Sequence, residues 1–233
     1  MFSGLEYGIG ERGKVGTAND SIKKMQLRKY ETLKKMILIL HDSDDREWGR
    51  YCPYGCHCMV NGPTDLLSGH GQPVDVVDSA CKRHQECITC AMKDFGGDVC
   101  PWWKPYKMSA MVDDVTDEKY LICRTYFISV EYRVLLFLED VEGFCKRSLC
   151  ECDAQLARDL YSERENYDRD NHHRYGTFNK QQCRTVNRGT YEENDVKEKV
   201  DSHMCCGINP KRFPYSTNKQ ECCNNQLESI GTC

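Results

Sequence analysis

Three absences narrow this chain before any motif is read. No stretch approaches the roughly 20 consecutive apolar residues of a membrane-spanning helix; the longest apolar runs are Met36–Leu40 and Val134–Leu138. Basic residues are not in excess, since 32 Lys and Arg against 36 Asp and Glu leave a net charge of −4. A phosphate backbone needs a positive face, so nucleic acid is not an expected partner. The opening MFSGLEYGIGERGKVG lacks the apolar centre of a secretory signal, which makes a mature or processed chain the expectation.

Cysteine is abundant instead, at 17 in 233 residues. Such density belongs to oxidising compartments, where disulfides form and persist. The expectation is a secreted, extracellular protein with one main domain and flanking appendages. The odd total leaves at least one thiol free or intermolecular.

Gly69–Cys90, GHGQPVDVVDSACKRHQECITC, is the most informative segment. Pro73 suits a first helical turn, and Asp75 and Asp78 suit a helix N-terminus. Val74, Val76, Val77, Ala80 and Cys81 follow at helical spacing, predicting a helix from about Val74 to Met92. Cys81, His84, Cys87 and Cys90 recur every three residues along it. That string invites a zinc reading, but nine residues of helix rise roughly 13 Å, while each ligand must lie roughly 2.0–2.3 Å from one ion. One ion cannot reach all four. The cysteines are read as disulfide anchors.

Tyr54-Gly55-Cys56-His57-Cys58, Gly71-x-Pro73-x-Asp75-x-x-Asp78 and Cys81-x-x-His84-x-x-Cys87 together resemble secreted phospholipase A2. Cys145-x4-Cys150-Glu151-Cys152-Asp153 is similar to that family's other core helix, and Leu33–Ile37 resembles its first helix more loosely. The resemblance covers roughly residues 30–164. It implies a mainly α fold with two disulfide-linked antiparallel helices and a small β-wing, to which a disulfide-rich C-terminal extension is added. Residues 1–28 are then an N-terminal extension, 29–164 the phospholipase-A2-like domain and 165–233 the cysteine-rich C-terminal region.

The resemblance assigns His84 as a general base and Asp153 as the carboxylate that orients it. An imidazole in that role needs one nitrogen free for a proton and the other held by an acceptor. It also implies the bridges Cys87–Cys152, Cys58–Cys81 and Cys100–Cys145. Ala80 and Asp159 stand where the family carries both members of one further bridge, and Leu38 stands where another would begin.

The departures bear on function. In the family, calcium polarises the ester and holds the developing oxyanion. It sits among loop carbonyls and a bidentate Asp beside the histidine, and calcium prefers six to eight oxygens. Here the Asp position is Gln85, a neutral amide. The carbonyl-donating loop positions map to His57, Met59 and Asn61, where the family has glycines. The 14 residues between Cys58 and Pro73 make a longer loop than the family pattern. Glycine supplies φ angles that Met and Val resist. Ile88 replaces a tyrosine that would bond the Asp. The expectation is therefore a secreted, non-catalytic homologue without a metal, acting by binding an extracellular protein or by self-assembly, as the family's toxin subunits, receptor ligands and otoconin-like matrix proteins do. The alternative is calcium-dependent hydrolysis of the sn-2 ester of glycerophospholipids, with Ca2+ as cofactor. A second alternative is a membrane-perturbing toxin component.

Trp102, Trp103 and Tyr106, interleaved with Lys104 and Lys107, suggest a surface aromatic cluster suited to a phospholipid surface or a protein hot spot. Residues 119–140 alternate as a hairpin-like pair of strands, with Cys150 or Cys90 as alternative partners for Cys123. Val134–Leu138 reads as a strand covered on both faces. Asn19-Asp20-Ser21 is a sequon. The polar stretch ERENYDRDNHHRYG reads as an extension of the second helix or a linker. Beyond it, Cys183, Cys205, Cys206, Cys222, Cys223 and Cys233 read as a small disulfide knot stapled to the main domain, with Cys56 as a candidate partner. A zinc site with His172, His173 and His203 is the alternative there. The odd cysteine makes covalent assembly one route to a complex.

Overall fold

The computed structural model describes residues 18–123, 141–184 and 203–233. Among the described residues the chain is mainly helical, with three two-stranded antiparallel ladders. α1 (Ala18–His41) carries Lys29, Leu33, Met36, Ile37 and His41 on its buried face, a stripe at helical spacing. It starts well before residue 29, so the expected N-terminal extension and main domain share one helix. Asn19 lies exposed in its first turn.

α2 (Asp45–Arg50) is a short helix capped by Asp44. α3 spans Val76–Phe95, beginning and ending slightly later than expected. The Asp75 carboxylate accepts from Asp78 N at 2.8 Å and caps it, and Gly96, at φ 82, ends it. α4 (Val141–Ser162) buries Leu149, Cys152, Asp153, Leu156 and Leu160. Contacts between α3 and α4 run Arg83 to Asp159, His84 to Asp153 and Cys87 to Cys152, so the helices lie in opposite senses. Where Ala80 and Asp159 leave out a covalent link, an Arg83–Asp159 ion pair at 2.9 Å spans the same helices.

β1 (Met108–Val112) pairs with β2 (Lys119–Cys123). The strand at Lys119 thus turns back on an upstream partner through Asp113, whose carboxylate accepts from Val115 N and Thr116 N. Pairing of Lys119–Cys123 with β1 is a contact that sequence reading did not foresee; the hairpin expected within 119–140, with Val134–Leu138, falls on residues 124–140, which lie outside the described residues. Cys123 pairs with Cys150, not Cys90.

The polar stretch after α4 is neither helix nor linker. It folds through two 3₁₀ turns, 164–166 and 169–171, against the chain around Tyr54. Cys183 then bridges to Cys56, as expected. β3 (His203–Ile208) and β4 (Lys211–Ser216) form a hairpin tied to α3 by Cys90–Cys205. β5 (Gln220–Cys223) and β6 (Gln226–Ser229) join through Asn224-Asn225, both at positive φ, as a tight two-residue turn requires. Cys206–Cys222 and Cys223–Cys233 complete the knot. All six cysteines there are oxidised, which removes the zinc alternative. Eight bridges account for sixteen cysteines and leave Cys52 as the free thiol.

Candidate functional site

His84 on α3 and Asp153 on α4 are brought together: His84 Nε2 lies 2.8 Å from Asp153 Oδ1. The bridges Cys87–Cys152, Cys58–Cys81 and Cys100–Cys145 are all formed, and the first fixes the turns that carry the pair. Asp153 is fully buried and has two further partners. Lys29 Nζ lies 2.7 Å from its Oδ2, and the Tyr106 hydroxyl donates to the same oxygen. The Lys29 ammonium also sits 4.5 Å above the Tyr106 ring.

Burial alone would push the Asp153 carboxyl up, but Lys29 and His84 reverse this and hold it below its ordinary value. Burial draws the Lys29 ammonium down against the pull of the same carboxylate. The carboxylate that faces His84 therefore already has a resident cation in Lys29. Ile88, in the place of the family's tyrosine, is buried in the core.

Gln85, one residue on, faces the other way. Its Nε2 donates to the His57 carbonyl at 2.7 Å, and its Oε1 lies 3.3 Å from His57 Nδ1. His57 Nε2 faces the Gly71 carbonyl at 3.1 Å. Both side chains are buried. Gly69 closes over them: a Cβ there would come within 2.5 Å of the Gln85 amide and 2.6 Å of the His57 ring. Beneath, the Asp78 carboxylate accepts from Cys56 N, His57 N and Val74 N and fixes both ends of the long loop.

Calcium needs an oxygen cage with carboxylates in it. The residues here do not fit that ion. An amide N–H points at the carbonyl that a cation would need, and the loop packs its own backbone over the place. Met59 is buried and holds φ 50, so the left-handed turn expected to be lost persists without glycine. Asn61 is exposed, and its amide bonds Asp65 at 3.2 Å. Of the four positions, Gln85 and His57 meet, while the Asn61 side chain turns away to Asp65.

The expected surface aromatic cluster is turned inward. Trp102 is 7% exposed, Trp103 packs edge-on against it, and Tyr106 points at Asp153. His172 and His173 also serve the fold, each bonding a backbone carbonyl. Sequence reasoning passed over Lys29, although it shares a stripe with Leu33, Met36 and Ile37. It gave no reason to single out Gly69. It also missed a cavity of about 400 Å³ beside His84, roofed by Pro210–Phe213 of the β3–β4 hairpin.

No family model matches the chain. Curated proteins do. The chain is 28% identical over 113 residues to the basic phospholipase A2 beta-bungarotoxin A1 chain of Bungarus flaviceps flaviceps, covering 48% of this chain and 56% of that one. It is 26% identical over 143 residues to the acidic phospholipase A2 beta-bungarotoxin A6 chain of Bungarus multicinctus, 61% of this chain and 80% of that one. It is 24% identical over 135 residues to the group IID secretory phospholipase A2 of Mus musculus, 57% and 70% respectively. The chain spans little more than half the length of the first of these. Its curated homologues are secretory phospholipases A2, at low identity and partial coverage, and they support a divergent phospholipase-A2-like family. Among the described residues no helix is long and apolar enough to cross a membrane.

Proposed function

We propose that this divergent secretory-phospholipase-A2-like chain is a non-hydrolytic extracellular scaffold that works by binding a protein or by assembling. The observation that carries this reading is the 2.7 Å bond from Gln85 Nε2 to the His57 carbonyl. A neutral amide donor occupies the carbonyl that a calcium ion would need, so the electrophile that would hold a developing oxyanion has lost a ligand there. Lys29 supports it further, because it supplies the buried carboxylate that faces His84 with a counterion of its own. Eight disulfides make a rigid frame suited to presenting a surface. Assembly is read as non-covalent, since Cys52 is partly buried and burial pushes its thiol well up.

The retained His84–Asp153 contact favours one other reading, calcium-dependent hydrolysis of phospholipid sn-2 esters. Release of fatty acid from mixed phosphatidylcholine and phosphatidylglycerol vesicles, measured with calcium and with chelator, separates the two. The scaffold reading expects no release in either condition and no calcium heat by calorimetry. Chelator-sensitive turnover that His84→Ala abolishes would overturn it.

A further inference from the structure

Residues 163–178 cross the chain around Tyr54 as a strap. Tyr54 and His172 form an antiparallel bridge. Gly55 N donates to the Asn171 carbonyl at 2.9 Å, and His173 N to the Pro53 carbonyl at 3.2 Å. Tyr167 packs on Tyr51 and Tyr54. The Cys56–Cys183 bridge closes the far end.

Two histidines hold the strap, and both are placed as neutral imidazoles. His172 is fully buried. Its Nε2 donates to the Gly49 carbonyl at 2.9 Å, while its Nδ1 accepts from Arg174 N at 3.0 Å and Tyr175 N at 3.1 Å. A proton on Nδ1 would displace both donors. His173 Nε2 donates to the Gly55 carbonyl at 2.6 Å, and its ring stacks on Phe178. Its Nδ1 is buried without a hydrogen-bond partner, so a second N–H would find no acceptor.

The surrounding charges do not compensate. Arg169 and Arg174 face His172, and Lys180 faces His173. Asp78 lies toward His173 from α3, but it already accepts three backbone N–H groups. Asp75 takes Tyr54 Oη, Asn171 Nδ2 and Asp78 N. Asp168 caps Asp170 N. Glu47, from α2, is paired with Arg50, which lies over the Tyr167 ring.

We infer that the strap is an acid-released latch: protonation of His172 and His173 detaches 163–178 from Gly49–Gly55, while α4 and the Cys56–Cys183 bridge keep it tethered. Burial lowers both imidazoles, the direction this geometry requires. The docked strap refuses protons that a free imidazole takes near 6.5, so docking is at full strength above that pH. Below it, each barred histidine weakens docking by about tenfold per pH unit until the docked ring itself titrates. The opened segment bares Tyr51, Tyr54 and the backbone of the neighbouring loop.

Hydrogen exchange of the oxidised full chain, corrected for intrinsic rates, tests this between pH 7.5 and 5.0. The expected result is at least a tenfold loss of protection in residues 163–178, with α3 and α4 unchanged. A His172→Gln/His173→Gln variant should show strap exchange that no longer depends on pH. Imidazole NMR of the unmodified chain gives an independent reading. A strap that stays protected at pH 5.0, one that opens only together with α3 and α4, or a His172 that titrates at the free-imidazole value near 6.5 while still docked would each overturn the latch, as would unaltered pH dependence in the variant.

Discussion

Lys29 and Asp153 form an ion pair between α1 and α4, Nζ to Oδ2 2.7 Å, with both side chains sealed from solvent. Removing one member of such a pair leaves the other uncompensated in a low-dielectric interior, which typically costs about 3–5 kcal/mol. Lys29→Met is expected to destabilise by that order in guanidinium unfolding of the oxidised protein at pH 7. Lys29→Met/Asp153→Asn should recover part of the loss. A Lys29→Met loss below about 1 kcal/mol would mean the pair is solvated rather than buried.

The same carboxylate gives a pH dependence with a definite sign. Its folded value is depressed, so its contribution is present above the ordinary carboxyl value of 3.8 and fades as pH falls below it. Urea midpoints taken from pH 5 down to pH 2 should fall over that window. A flat profile would show that Asp153 is not held ionised.

Gln85 should matter for structure and not for calcium. Gln85→Ala leaves the His57 carbonyl without its donor, a loss of about 1–3 kcal/mol. Gln85→Asp sets a carboxylate against that carbonyl and should also destabilise. Millimolar calcium is expected to leave the Tm of the unmodified chain and of Gln85→Asp unchanged. A calcium-dependent rise in the unmodified chain would sink the scaffold reading.

Gly69→Ala tests how tightly the loop closes. Its Cβ would lie 2.5 Å from the Gln85 amide and 2.6 Å from the His57 ring, so the loop must shift, at about 1–3 kcal/mol. Gly71→Ala should be worse, because Gly71 holds φ 83 and faces the Cys183 carbonyl directly. Differential scanning calorimetry should rank the two in that order.

Cys52 should react slowly in the folded protein. Burial pushes its thiol up, so little thiolate exists at pH 8. Iodoacetamide is expected to add one carbamidomethyl group per chain only after denaturation without reductant. Rapid labelling of the native protein would place the thiol at the surface.

Much of the frame was legible in the sequence. Helical spacing and capping residues gave α3 to within a few residues, because its Asp75 cap is local chemistry. The cysteine pattern together with the family resemblance gave three core bridges and the Cys56 staple. The aromatic cluster was misplaced, because CPWWKPYKM contains no signal of which element will cover it. Tyr106 turns in because Asp153, distant in sequence, offers an acceptor.

What the sequence determined by itself is chemical identity: a histidine and an aspartate that pair, an amide where a carboxylate is expected, and enough cysteine to staple the chain. Tertiary structure alone decided what those groups face. Lys29 becomes a counterion only because α1 lays it against α4, and Gln85 becomes a plug only because a long loop returns Gly69 over it. Propensity and spacing act over a few residues, whereas burial and ion pairing are settled by elements that meet across the fold.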